Sequence, residues 1–155
     1  MSDCAQPLEY NKCEYALFIS YAYSDDKGHN GWVGALRDAI WDRLHGMPGD
    51  ITRRDIYFSK DNGASAGHLG YELRETLKSS FAMLLVVGKR YVDSHWCEKE
   101  LQIFKDVFGT EATKSRLYVA VMSQNALEKV RKGELWQEVV APDQVWVAML
   151  SLIHI

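Results

Sequence analysis

The run Ala82-Met-Leu-Leu-Val-Val87 limits what this chain can fold into more than any other stretch. It holds no polar residue, so it is not a strand with one wet face, and it is too short for a self-contained buried helix. Tyr15-Ala-Leu-Phe-Ile-Ser-Tyr21 is β-rich and nearly all apolar in the same way. Strands hidden on both faces belong to parallel sheets clothed by helices. Neither Ala82–Val87 nor the second apolar run, Val145–Leu150, approaches the roughly 20 residues that a membrane-spanning helix needs.

Helical patterns lie between the strand patterns. From Trp32, the residues Val33, Leu36, Ile40 and Leu44 share one face, and Gly46 and Pro48 follow as stop signals. Asp55–Phe58 predicts a second strand, and Leu69, Leu73 and Leu77 recur every four residues to define a second helix. Leu117–Met122 predicts a fourth strand, Asn125–Lys132 a short amphipathic helix and Val145–Met149 a fifth strand. This alternation predicts an α/β fold: a flavodoxin-like, doubly wound, parallel five-stranded sheet. In such sheets ligands gather beyond the carboxyl ends of the strands, where strand order reverses beside the first strand. Three loops reach that place: Tyr21–Gly31, Ser59–Gly67 and Gly88–Asp93.

The length of 155 residues fits one domain with a real core. The net charge of −3, with Lys and Arg scattered, argues against a nucleic-acid partner, whose binding rests on phosphate neutralisation. A polar, mildly acidic start is not a signal peptide. The cysteines Cys4, Cys13 and Cys97 are odd in number and lack metal spacing, so they read as free thiols in a reducing, cytoplasmic setting. His29, His45, His68, His95 and His154 show no ligand spacing either, and no metal is expected. Gly63, Gly67 and Gly70 match neither a P-loop nor a dinucleotide fingerprint.

The most informative residue is Glu100. It belongs to the stretch Tyr91-Val-Asp-Ser-His-Trp-Cys-Glu-Lys-Glu-Leu101, which opens a helix with Ser94 as its N-cap. Cys97, Leu101, Phe104 and Phe108 make one buried stripe, with Trp96 and Glu100 one turn apart on its flank. Glu98 has polar neighbours at four residues' distance and reads as an ordinary solvated acid. Glu100 has Trp96, Cys97, Ile103 and Phe104 around it and no local base. A carboxylate so placed is costly unless it has a task or a distant partner.

Ser-His-Trp-Cys-Glu-Lys-Glu-Leu101 resembles the S-x-W-C-x-x-E-L box of Toll/interleukin receptor (TIR) domains. Ala16-Leu-Phe-Ile-Ser-Tyr-Ala-Tyr-Ser-Asp-Asp26 is similar to the family's opening strand and F-I-S-Y loop. Ile56-Tyr-Phe-Ser-Lys-Asp61, followed by Gly67, is similar to its second strand and the loop after it. The three boxes stand in the family's order and spacing, across roughly residues 14 to 150. The resemblance implies the TIR fold and, in its prokaryotic NAD-cleaving branch, a catalytic glutamate at the position of Glu100. NAD+ would be a substrate and not a cofactor, cleaved at the nicotinamide–ribose bond to nicotinamide and ADP-ribose or a cyclic form.

Tyr23, Ser24 and Asp25 follow the first strand, where backbone N–H groups and short polar side chains can meet the dinucleotide. The resemblance implies that the loop holding Asp61 and Asn62 flanks the site and also mediates domain contacts, and Trp96 is a candidate pocket wall beside Glu100. A solvated turn explains Tyr23, Ser24 and Asp25 equally well, and core packing explains Trp96. One departure stands out: the family often has an acid two residues after the second strand's aromatic, and Lys60 holds that place. Members of the family self-associate, so homotypic TIR–TIR assembly is the expected partnership, with antiphage immune signalling as the setting. A non-catalytic TIR interaction module is the alternative. A phosphoryl-accepting receiver is set aside, since Val87-Gly88-Lys89 offers no acceptor aspartate at the end of the third strand. Residues 1–13 read as a loose leader and 14–155 as the domain. Its apolar end, Ser-Leu-Ile-His-Ile155, lacks the family's usual last helix and suggests either a longer protein or a tail that docks on a partner, with a sensing domain fused or separate.

Overall fold

The computed structural model describes residues 12–22, 32–45, 55–58, 66–140 and 145–147. Its strands are β1 (Tyr15–Tyr21), β2 (Asp55–Phe58), β3 (Ser80–Val87), β4 (Leu117–Val121) and β5 (Val145–Val147). The helices among the described residues are α1 (Trp32–His45), α2 (Ala66–Lys78), α3 (His95–Phe108), α4 (Thr110–Ser115), α5 (Gln124–Val130) and α6 (Glu134–Val139). The strands pair in parallel in the order β2-β1-β3-β4-β5. This is the flavodoxin-like order that the alternating pattern predicts, with the reversal at β1 and β3.

Because strand side chains alternate, the sheet has two distinct faces. Phe18 on β1, Met83, Leu85 and Val87 on β3, and Leu117, Val119 and Val121 on β4 form one core with α2, α3, α5 and α6. Ile19 and Tyr21 on β1, Leu84 and Val86 on β3, and Ala120 on β4 form the other, with Val33 and Leu36 of α1. A fully buried side chain of this kind stabilises the fold by about 1.5 to 3 kcal/mol. The apolar run Ala82–Val87 therefore feeds both cores at once. Ser20 lies two residues after Phe18 on β1, so it points toward α3 and not toward α1.

Two short helices, α4 and α6, escape the sequence pattern. Each has six residues, too few to show a period, and neither begins with a side-chain cap. α4 follows Gly109, whose φ of 87° a residue with a β-carbon rarely adopts. α2 begins at Ala66, so the last two residues of the expected Ser59–Gly67 loop are helical; the rest of that loop lies outside the described residues. Cys13, assigned by the sequence pattern to the leader, is buried at 2% exposure two residues before β1 begins. No helix among the described residues is long and apolar enough to cross a membrane.

Candidate active site

The turn between β3 and α3 aims the start of α3 at the sheet. Tyr91 N–H donates to the Gly88 carbonyl and Ser94 N–H to the Tyr91 carbonyl, a folded turn with Tyr91 buried inside it. Ser94 then caps the helix, its Oγ accepting from the Cys97 N–H at 3.3 Å. This satisfies one of the free donors at the helix start, as the sequence predicts. Downstream, Cys97, Glu100, Leu101, Phe104, Val107 and Phe108 are buried. Their spacing is the three-and-four step of a broad inward stripe. Glu100 is thus inside the stripe and not on its flank.

Glu100 is 6% exposed. Its Oε1 accepts a hydrogen bond of 2.7 Å from Ser20 Oγ, which reaches it from β1. Ser20 is itself fully buried, and its Oγ lies 3.5 Å from the Tyr91 hydroxyl. Burial pushes the Glu100 acid from its ordinary value of 4.5 up to about 8, against the lowering effect of the Ser20 hydrogen bond. Among the described residues no cation offsets that burial. Burial also raises the Tyr91 phenol well above its ordinary value, and that of Tyr57 more modestly, with the Glu100 charge adding to each. Tyr57 stacks on Phe18 at 5.1 Å, next door to Ser20 on the same face. The result is an acid in a low-dielectric niche, surrounded by hydroxyl groups that stay protonated.

Trp96, one turn before Glu100, is partly buried and packs against the α3 side of the core. The Lys99 ammonium lies 4.9 Å from the centre of its ring, and His95 meets it edge-on at 6.4 Å. Tyr23, Ser24, Asp25, Asp61 and Asn62 lie outside the described residues. Ser20, Tyr57 and Tyr91 are the residues that sequence reasoning missed. Ser20 had a signal: it is the lone hydroxyl within Ala16–Ser20, a stretch hidden on both faces near the carboxyl end of a strand. Cys97 is fully buried, as a core thiol would be.

A cavity of about 450 Å³ opens elsewhere around α3, lined by Tyr91, Ser94, Glu98, Leu101, Lys129 and Trp136 among others. Neither Ser20, Trp96 nor Glu100 lines it. Glu98, the solvated acid of the sequence reading, is exposed at its edge. No group of His, Cys, Asp and Glu side chains among the described residues is arranged to hold a metal ion.

No family model and no curated protein matches the chain. Among solved structures it is similar to the TIR domains in the activated Roq1 resistosome directly recognizing the pathogen effector XopQ. The two share 20% identity at a TM-score of 0.49, over 78% of this chain, which spans 66% of that one.

Proposed function

We propose that this domain is a TIR enzyme that cleaves the nicotinamide–ribose bond of NAD+, with Glu100 as the working acid. The observation that carries the reading is a carboxyl buried at 6% exposure, without a cationic partner among the described residues, beside the reversal of strand order. Nicotinamide in NAD+ is a cation and departs as a neutral base. The pair of electrons of the breaking bond returns to the ring nitrogen, and the positive charge passes to the anomeric carbon of the ribose. No general acid is required, unlike in a glycosidase with two carboxyl groups. One carboxylate set where that charge grows stabilises the transition state more than the ground state. Water then attacks and loses a proton, giving ADP-ribose; attack by the substrate's own adenine gives a cyclic form.

Burial holds Glu100 largely protonated at neutral pH, and the pyridinium charge of bound NAD+ favours its anion. Trp96 supplies one wall of the nicotinamide site in this reading, and the segments containing Tyr23, Ser24, Asp25, Asp61 and Asn62 contact the rest of the dinucleotide. Self-association of TIR domains completes the site, in a cytoplasmic protein with a sensing domain. The competing reading, a non-catalytic self-associating module, has one observation on its side: a protonated Glu100 bonded to Ser20 is a satisfied polar pair.

Incubation of the purified protein with NAD+, dilute and concentrated, followed by chromatography of the products, separates the two. Nicotinamide release that rises per molecule with concentration, and that Glu100→Gln abolishes while Glu98→Gln does not, supports the enzyme. Equal turnover in wild type and Glu100→Gln removes Glu100 from the chemistry.

A further inference from the structure

Glu100 has two carboxylate oxygens, and Ser20 engages one of them, Oε1. A serine hydroxyl carries a single proton. When Glu100 is ionised that proton lies between Ser20 and Oε1, so across the 3.5 Å contact Tyr91 is the donor and Ser20 Oγ the acceptor. Tyr91 holds its proton firmly because burial opposes the phenolate. The three groups form a directed line: Tyr91 O–H to Ser20 O–H to Glu100. All three are buried, and each comes from a different place: the turn before α3, strand β1 and the second turn of α3.

We propose that Ser20 is a positioning residue for Glu100: it pins one carboxylate oxygen and so directs the other to the substrate, with Tyr91 holding Ser20 in turn. The inference rests on Glu100 being the working acid. The rigid parts of the fold supply the means. Ser20 sits in a central strand paired on both sides, so its hydroxyl has little freedom to follow a carboxylate that swings away. A carboxylate held in one rotamer stabilises a developing charge without reorganising at the moment of reaction. The titratable groups facing this acid are Tyr57 from β2 and Tyr91 from the turn, with Glu72 of α2 acting on Tyr57 and Cys97 of α3 acting on Tyr91. None of these is a cation, so among the described residues the Ser20 hydroxyl is the one group that favours the Glu100 anion.

The test reads the acid directly and the reaction separately. Protein labelled with carbon-13 at the glutamate carboxyl carbons is titrated by NMR, with Glu100→Gln assigning the signal, in wild type, Ser20→Ala, Ser20→Thr and Tyr91→Phe. Ser20→Ala is expected to move the Glu100 midpoint upward by about one pH unit. Tyr91→Phe is expected to move it upward by less, and Ser20→Thr, which keeps the hydroxyl, to restore it. In NAD+ cleavage, Ser20→Ala is expected to lower kcat roughly 10- to 100-fold with KM little changed. Tyr91→Phe keeps the ring packing, so it serves should Ser20→Ala fail to fold. A midpoint unmoved in folded Ser20→Ala, or in Tyr91→Phe where Ser20→Ala does not fold, overturns the proposal. So does a moved midpoint with wild-type kcat. Wild-type protein that cleaves no NAD+ defeats the reading of Glu100 as the working acid while leaving the midpoints as they are, so the two failures are told apart.

Discussion

The ammonium of Lys99 lies 4.9 Å from the centre of the Trp96 indole, on the residue proposed to wall the nicotinamide site. Such a contact is worth about 0.5 to 1 kcal/mol at an exposed position, and it sets a fixed cation beside the place where a cationic ring would bind. Lys99→Met keeps the aliphatic stem and removes the charge. It is expected to lower KM for NAD+ by about two- to fivefold with kcat held, read from initial rates. A raised KM would instead assign the ammonium to the substrate's pyrophosphate. Trp96→Ala should cost less stability than the roughly 3 to 5 kcal/mol of a fully buried tryptophan, since Trp96 is partly buried, yet lose most activity.

The pH dependence of cleavage follows from the burial of Glu100. In the proposed mechanism the carboxylate is the working form, and the folded midpoint of Glu100 is raised to about 8. The value of kcat/KM, which reports the free enzyme, should climb with pH and level off above about 8. The midpoint for kcat should lie lower, because the bound pyridinium favours the anion. Steady-state rates across roughly pH 5 to 9 test this, and a flat profile would count against a carboxylate mechanism.

Stability should move in the opposite sense. The folded Glu100 acid is raised from 4.5 to about 8, so between those values the native state holds a proton that the unfolded chain has released. Its contribution is fully present below about pH 4.5 and is lost as pH rises through about 8. Glu100→Gln has no such proton to lose. The stability of Glu100→Gln minus that of wild type should therefore grow with pH, reaching a few kcal/mol above pH 8, by urea denaturation in a pH series. A difference that stays constant would mean that Glu100 ionises in the folded protein as it does in the unfolded one.

Thr113 offers a test of packing alone. It is fully buried on α4, and its hydroxyl has no hydrogen-bond partner among the described residues. A buried unsatisfied hydroxyl costs about 1 to 3 kcal/mol. Thr113→Val keeps the shape, so it should raise stability by about 1 kcal/mol, measured as the denaturation midpoint, and leave catalysis alone. A destabilised Thr113→Val would reveal a partner for that hydroxyl.

The doubly covered third strand and the capped start of α3 were legible because each rests on a strong local signal. Ala82–Val87 is apolar at every position, and Ser94 sits immediately before an amphipathic period. The short helices α4 and α6 left no such trace, since their six residues complete less than two turns. Glu100 could be picked out because its neighbours along the helix are apolar. Its actual partner could not, because Ser20 meets it only through the packing of α3 on β1, and helix periodicity says nothing about which strand residue lies beneath. The inward tilt of Glu100 was misjudged for the same reason: a narrow seam through Cys97, Leu101, Phe104 and Phe108 and a broad one through Val107 as well fit the sequence about equally, and the fold selects the broad one.

Ser20 and Glu100 stand 80 residues apart in the chain. A ribosome adding roughly 5 to 20 residues per second needs roughly 4 to 16 seconds to travel from one to the other. Through that interval β1 has no α3 to receive its hydroxyl, and the acid has not been made. A product truncated before residue 100 keeps β1, β2 and β3 but none of this chemistry. On the NAD+-cleaving reading, synthesis itself acts as a safety catch: the chain stays harmless to the coenzyme pool while half made, and becomes competent only once both ends of the Ser20–Glu100 hydrogen bond exist.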